Sequence, residues 1–294
     1  DALPLDFWVP EAYVFLVLYN LPHLALAQSL LLWSILWSLR SFEDLDPRRA
    51  LGAGLLACIM SWIVPFYAGV LAAVLGAYLL ALLIRGRQLP RREIALTLVV
   101  GLGCLPPVAY NAWVFTTNPA FATWSTQNRI QSPHPLHFLL GFATLLVPAI
   151  WGMLFVLREK GERWLLPLAW ILAVPLLVYL PVNLQRRLIV GAQVPLALLA
   201  AAGLQTWFRD KHWATVAYVG FASLSNLLLV AGSLGPIQAR QEPIYRSGAE
   251  IDALCWLDAH ARTDDVVLAS FETGNVIPAF TDLRVFAGHG PETL

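Results

Sequence analysis

The apolar residues of this chain fall into blocks of roughly twenty, and that grouping constrains its fold more than any other feature. A helix of about 20 residues, rising 1.5 Å per residue, crosses the roughly 30 Å hydrocarbon core of a bilayer. Charged residues sit in short clusters between the blocks, as they do in membrane connectors. Composition agrees, with 58% hydrophobic and 13% charged residues and a mean hydropathy of +0.65. A soluble domain averages about 25% charged residues. Half of that leaves too little polar surface to cover a water-soluble body of this size. The net charge is zero, so no global field points to nucleic acid.

The first block runs from Ala12 to Leu39 and would overshoot the bilayer as one straight helix. Pro22 offers a break, because proline lacks an N–H and fits best in a first helical turn. The sequence thus predicts a juxtamembrane element at 10–20 and a span at 22–40. Pro65 divides the next stretch into helices at 49–63 and 66–84. Further spans are expected at 93–110, 136–157, 164–181, 187–206 and 213–234. Internal Gly101, Gly103, Pro148, Pro175 and Pro195 are tolerated where neighbouring helices satisfy the freed backbone groups.

The tail reads as soluble α/β. Ser247 and Glu250 form a capping box ahead of an apolar stripe at Ile251, Leu254, Cys255 and Leu257. Val266–Ala269 and Arg284–Ala287 read as strands separated by a Gly/Asn/Pro turn region. The expected fold is therefore an all-α polytopic membrane protein of about eight transmembrane helices, followed by the start of a small soluble α/β segment. Three regions are expected: an outer juxtamembrane segment at 1–21, a helical domain at 22–235, and an incomplete extracytoplasmic segment at 236–294. The chain begins with Asp1, without the basic and short apolar regions of a signal peptide, and both ends read as cuts in a longer protein.

Basic residues near helix ends set orientation. Twelve fall on one side: Arg40, Arg48 and Arg49, then Arg85, Arg87, Arg91 and Arg92, then Arg158, Lys160 and Arg163, then Arg209 and Lys211. Five fall on the other: Arg129, Arg186, Arg187, Arg240 and Arg246. The first side is expected to be cytoplasmic. Residues 1–21, the loop 111–135, the loop 182–187 and the tail from 236 then face outward, placing the chain in the plasma membrane with its C-terminal segment outside.

Gln185-Arg186-Arg187 is the most informative local feature, set where basic residues are normally scarce. A guanidinium presents a fork of donors matching phosphate oxygens bidentately. At the start of the expected 187–206 helix, free N–H groups and the dipole would add to this pull. The competing explanation is that both arginines snorkel to lipid headgroups. The loop 111–135 carries Trp113, Asn118, Phe121, Trp124, Gln127, Asn128 and His134. Aromatic faces with amides suit a sugar, whereas an interfacial aromatic belt would use the same residues. The N-terminal stretch supplies Asp6, Glu11, Asn20 and His23. Carboxylates there could act as general bases, and His23 could line a cavity.

Glu43-Asp44-Leu45-Asp46 has the form of a DxD metal motif, but it precedes Pro47 and a helix start, where capping carboxylates are expected. Cys58, Cys104 and Cys255 have no CxxC or Cys/His spacing, so neither a disulfide framework nor a metal site is expected. Glu272-Thr273-Gly274-Asn275 and Gly288-His289-Gly290 follow strand ends, where turn chemistry explains the glycines as well as substrate contact would. No Walker loop, GxSxG, HExxH or GxGxxG motif supports nucleotide or hydrolase chemistry.

Three segments together carry a resemblance. Asn20-Leu21-Pro22-His23-Leu24-Ala25-Leu26-Ala27 begins a span. Asn118-Pro119-Ala120-Phe121-Ala122-Thr123-Trp124 leads to Gln127-Asn128, and Arg186-Arg187 precedes Val194-Pro195-Leu196-Ala197-Leu198-Leu199-Ala200. Over residues 10–290 the chain resembles the middle and C-terminal parts of bacterial GT-C superfamily glycosyltransferases. These are polyprenyl-phosphate-sugar-dependent, mannosyltransferase-like membrane enzymes. The resemblance implies an inverting transfer in which an outward-facing carboxylate deprotonates an acceptor hydroxyl and polyprenyl phosphate leaves. It places the principal acid in a first outward loop that precedes this chain, leaving Asp6 and Glu11 as secondary candidates. It implies that Arg186 and Arg187 neutralise the leaving phosphate, and that Trp124, Gln127, Asn128 and His23 contact sugar or acceptor. No cofactor is implied. The partners are membrane lipid and the lipid-linked sugar itself. A transporter, a lipid flippase and a non-catalytic membrane protein remain the rival classes, although polar groups gather at the outer face rather than at the midplane that transporters use.

Overall fold

A computed structural model describes residues 9–127, 129–159, 161–209, 211–240, 242, 244–262 and 264–288. The chain divides into two compact units, one of residues 1–125 and 129–226, the other of 126–128 and 227–294.

The first unit is helical. It holds α1 (Val14–Asn20), α2 (Pro22–Asp44), α3 (Pro47–Ile63), α4 (Tyr67–Gly86), α5 (Arg91–Thr117), most of α6 (Pro119–Gln127), α7 (Pro135–Gly141), α8 (Ala143–Glu159), α9 (Leu165–Val178), α10 (Gln193–Phe208) and α11 (His212–Ala222). Helix α12 (Leu224–Gln238) runs on into the second unit. Local chemistry sets several starts. Pro22, Pro47 and Pro135 occupy first helical positions, where a missing N–H costs nothing. Asp46 caps α3 by accepting from the Arg48 N–H at 2.9 Å, and Arg49 pairs with Asp44. The acidic cluster before Pro47 is thus occupied with capping and ion pairing.

Among the described residues, α2, α4 and α5 are long and apolar enough to cross a membrane. Counting the bent pairs α7–α8 and α11–α12 as one span each raises the number to five. The expected eight spans are therefore an overcount. Helices α3, α9 and α10 have 17, 14 and 16 residues. At 1.5 Å per residue, α9 reaches about 21 Å, short of a roughly 30 Å core. Helices α7 and α8 meet at 87°, so the apolar run at 136–157 is not one straight element. The loop expected at 111–135 is also largely helical. Helix α5 continues through Pro106 and Pro107 to Thr117, and Asn118 caps α6 by accepting from the Ala120 N–H at 3.0 Å.

The core of this unit is built by α2, α3, α4, α5 and α9. Leu24, Ala27, Leu31 and Ile35 form the buried stripe of α2, at helical spacing. It meets Ala50, Ala53 and Ala57 of α3, which are 0% exposed, and the Ser34 hydroxyl donates to the Ala53 carbonyl at 3.0 Å. Small residues let backbones approach where lipid gives helices no hydrophobic reason to associate. Two crossings depend on glycine. A Cβ on Gly103 of α5 would lie 2.0 Å from the carbonyl oxygen of Gly54 on α3. A Cβ on Gly152 of α8 would lie 1.9 Å from that of Leu199 on α10. The outward surfaces are apolar: Leu172, Leu176 and Val216 are 66%, 75% and 71% exposed. Such side chains in numbers suit a lipid solvent.

The second unit has a small core of Leu254, Ile277 and Leu283. Helix α13 (Gly248–His260) is capped by Ser247, whose hydroxyl accepts from the Glu250 N–H at 3.1 Å. Strands β1 (Val266–Val267) and β2 (Arg284–Val285) pair in parallel. A parallel pair needs a crossover, and α14 (Phe271–Gly274) and α15 (Ile277–Phe280) occupy it where the sequence predicts only a turn region. The strands are each two residues long rather than four.

Candidate functional site

The arginine pair lies in a 310 turn, Gln185–Ile189, and not at the head of a helix. Helix α10 begins only at Gln193, so the expected help from its N–H groups and dipole does not reach Arg186 and Arg187. What reaches Arg187 is a carboxylate. Glu11, in the 310 turn Pro10–Ala12, is 5% exposed, and its Oε1 lies 3.1 Å from Arg187 Nε. The Arg187 guanidinium also sits 5.9 Å from the centre of the Phe66 ring, within cation–π range. A buried acid, a guanidinium and an aromatic face are thus brought together from three distant stretches of sequence.

Arg186 feels the same surroundings. Burial lowers its pKa below the usual arginine range, the Glu11 carboxylate counters that, and the Arg187 charge adds to the lowering. Both guanidiniums thus lie in the field of the one Glu11 carboxylate, and only Arg187 is in contact with it among the ion pairs described. Tyr67, the first residue of α4, is 0% exposed and lies in the fields of both Glu11 and Arg187. Its hydroxyl, like Glu11 Oε2, has no hydrogen-bond partner among the described residues.

Backbone pairing fixes the turn in place. The Ile130 N–H donates to the Asn183 carbonyl at 2.7 Å, and the Arg186 N–H donates to Ile130 at 3.4 Å. The Ser132 N–H donates to Gln185 Oε1 at 3.3 Å, and the Asn183 amide donates to the Ser125 carbonyl at 2.9 Å. The Tyr179 hydroxyl donates to the Pro133 carbonyl at 2.8 Å. Ser125 and residues 130–133 are therefore pinned to residues 179–186. Below the turn, Gln193 Oε1 accepts from the Val14 N–H at 2.6 Å, tying the N-terminal segment to the start of α10. Gly191, with φ +74°, passes over the Trp170 ring, where a Cβ would sit 2.8 Å from the indole.

An apolar groove of about 240 Å³ lies beside this turn. Phe138 and Phe142, Val174 and Val178, and Leu196 help form its walls, and Ile189 carries its lining into the turn that holds the arginines. The other expected residues are placed as follows. His23 is exposed in the first turn of α2. Trp124 is half-buried and packs against Phe115 at 5.9 Å, as part of the α5–α6 aromatic packing. Gln127 is exposed. Asp6 and Asn128 lie outside the described residues. Among the described residues no group of three His, Cys, Asp or Glu is placed to hold a metal ion.

Sequence reasoning reached Glu11 and both arginines separately but did not join them, and it missed Tyr67 and Phe66. The only signal for Tyr67 was its position just after the helix break at Pro65, which reads equally as an interfacial aromatic. Comparisons with protein-family models, with curated proteins and with solved structures find no match to this chain.

Proposed function

We propose that this chain is part of a multi-pass membrane glycosyltransferase of the GT-C type. It moves a sugar from a polyprenyl-phosphate donor to an acceptor at the outer face of the plasma membrane, with inversion. The observation that carries the reading is the adjacency of an apolar groove to a turn with two arginines and one carboxylate. A polyprenyl phosphate has matching chemistry, a long apolar chain ending in an anion. The groove takes the first isoprene units and the turn takes the phosphate. Guanidinium charge at the turn stabilises the leaving phosphate, which gains negative charge as the glycosidic bond breaks. The basic asymmetry of the sequence supports an outer position for the turn. The deprotonating carboxylate belongs to a first outward loop, with Asp6 as a secondary candidate.

The test is sugar transfer from a polyprenyl-phosphate donor by the full-length protein in liposomes. A charged hydrogen bond is worth roughly 1.5–3 kcal/mol, so Arg186→Ala should slow transfer about tenfold to a hundredfold. Arg186→Lys should recover only part of that, since lysine keeps the charge and loses the fork. Wild-type transfer by Arg186→Ala at equal protein level would return the pair to headgroup anchoring.

A further inference from the structure

A second cavity, of about 190 Å³, lies in the first unit and is lined from α8, α10, α11 and the start of α12. It is distinct from the apolar groove: Tyr13 lines the cavity, Phe142 lines the groove, and their rings stack at 4.8 Å. The chain bends by 44° between α11 and α12, and Ser223, Ser225 and Asn226 line the cavity at this break. Thr144, Gln193 and Tyr218 add to its polar lining, and all six residues are half-buried rather than sealed. Some of these groups serve the fold. The Tyr218 hydroxyl donates to the Thr144 carbonyl at 2.9 Å, and Gln193 Oε1 accepts from the Val14 N–H. The side chains of Ser223, Ser225 and Asn226 make no hydrogen bond among the described residues. Broken helices in membrane proteins form binding sites where such groups converge on a cavity.

The chemistry of the lining selects the ligand. No charged side chain lines the cavity among the described residues. An ion would lose its water there without a counter-charge. A plain hydrocarbon chain would strand the hydroxyls and the amide. Hydroxyls and amides both donate and accept, so a molecule bearing several hydroxyls satisfies them. Leu145, Leu204 and Val219 complete the walls and suit the C–H faces of such a molecule. The volume is well above the roughly 10–15 Å³ that one water needs. It is below the roughly 300–1,000 Å³ of drug-sized sites, which limits the bound group to about one ring. We propose that this cavity binds a small neutral polyhydroxy group, with the Ser225 hydroxyl and the Asn226 amide as its main polar contacts. The site does not depend on the arginine turn holding a phosphate.

The experiment measures binding to the full-length protein in nanodiscs, with thermal unfolding of each variant alongside. The probes are a free hexose and a hexose carried on diacylglycerol, which separate a soluble ligand from a lipid head. Neither carries a phosphate, so the arginine turn is not engaged and its reading stands or falls separately. Asn226→Leu keeps the side-chain size and removes the amide. It should weaken the better-bound probe about fivefold to tenfold while leaving thermal stability equal or higher, because an amide without a partner is replaced by an apolar group. Ser225→Ala, the smaller change, should weaken binding in the same direction. Wild-type protein that binds neither probe overturns the proposal. Unchanged binding of both probes by Asn226→Leu and Ser225→Ala also overturns it, as does weakened binding only in step with lost stability, since these residues would then serve the fold alone.

Discussion

Glu11 Oε1 lies 3.1 Å from Nε of Arg187, and this contact joins the N-terminal turn to the connection between α9 and α10. The carboxylate is buried and the arginine only half so, which makes the two partners unequal. Removing the arginine strands a charge inside the protein, whereas removing the acid releases a guanidinium that can turn toward water.

Arg187→Ala should therefore destabilise the protein more than Glu11→Gln does. Breaking a fully buried pair costs about 3–5 kcal/mol, and the partial exposure of Arg187 brings the expected loss to about 2–3 kcal/mol. The double variant Glu11→Gln/Arg187→Ala should recover part of it, because no buried charge is then left unpaired. Thermal unfolding in detergent, run as a double-mutant cycle, measures this. Additive losses would show that the contact carries no coupling energy.

Helix contact through glycine gives a second test. Gly203→Ala would set a Cβ 2.0 Å from the Pro148 carbonyl oxygen, and Gly152→Ala would set one 1.9 Å from that of Leu199. Backbone cannot swing aside, so α8 and α10 must separate, at a cost of about 1–3 kcal/mol or more. Gly76 of α4 meets nothing within 4 Å, and Gly76→Ala should be neutral or slightly stabilising. Equal effects at Gly76 and Gly203 would contradict the close crossing.

The groove can be tested without touching the arginines. Leu139 lines it and is 51% exposed, so Leu139→Gln leaves the packed core intact while placing an amide against the proposed path of the lipid chain. Loss of apolar contact worth about 1–1.4 kcal/mol should raise KM for a polyprenyl donor about fivefold to tenfold. The kcat should hold, because the chain contributes equally to ground and transition states. A fall in kcat at constant KM would place the lipid elsewhere.

The proposed orientation rests on the basic residues alone. A reporter fused after Gly235 should be active only outside the cytoplasm, given the excess of arginine and lysine on the opposite connections. Activity in the cytoplasm would reverse the assignment of Arg186 and Arg187 to the outer face.

The features legible in the sequence are those fixed within a turn or two of chain. Pro22 and Pro47 start helices, Asp46 and Ser247 cap them, and the apolar runs become helices near their expected places, because each depends on groups no more than four residues apart. Span number was less legible. Where a helix stops depends on what packs around its end: α5 passes through two prolines to Thr117, while α9 ends at Val178 and yields to an irregular connection. The arginines stood out because arginine on the sparsely basic side is a local anomaly. Their partner did not, since Glu11 reads as one more solvated acid until packing buries it. Tertiary structure alone decided that Glu11, Tyr67, Arg186 and Arg187 lie near one another. Burial and desolvation are sums over every neighbour a side chain meets, and those neighbours come from α4 and from two turns far apart in the sequence.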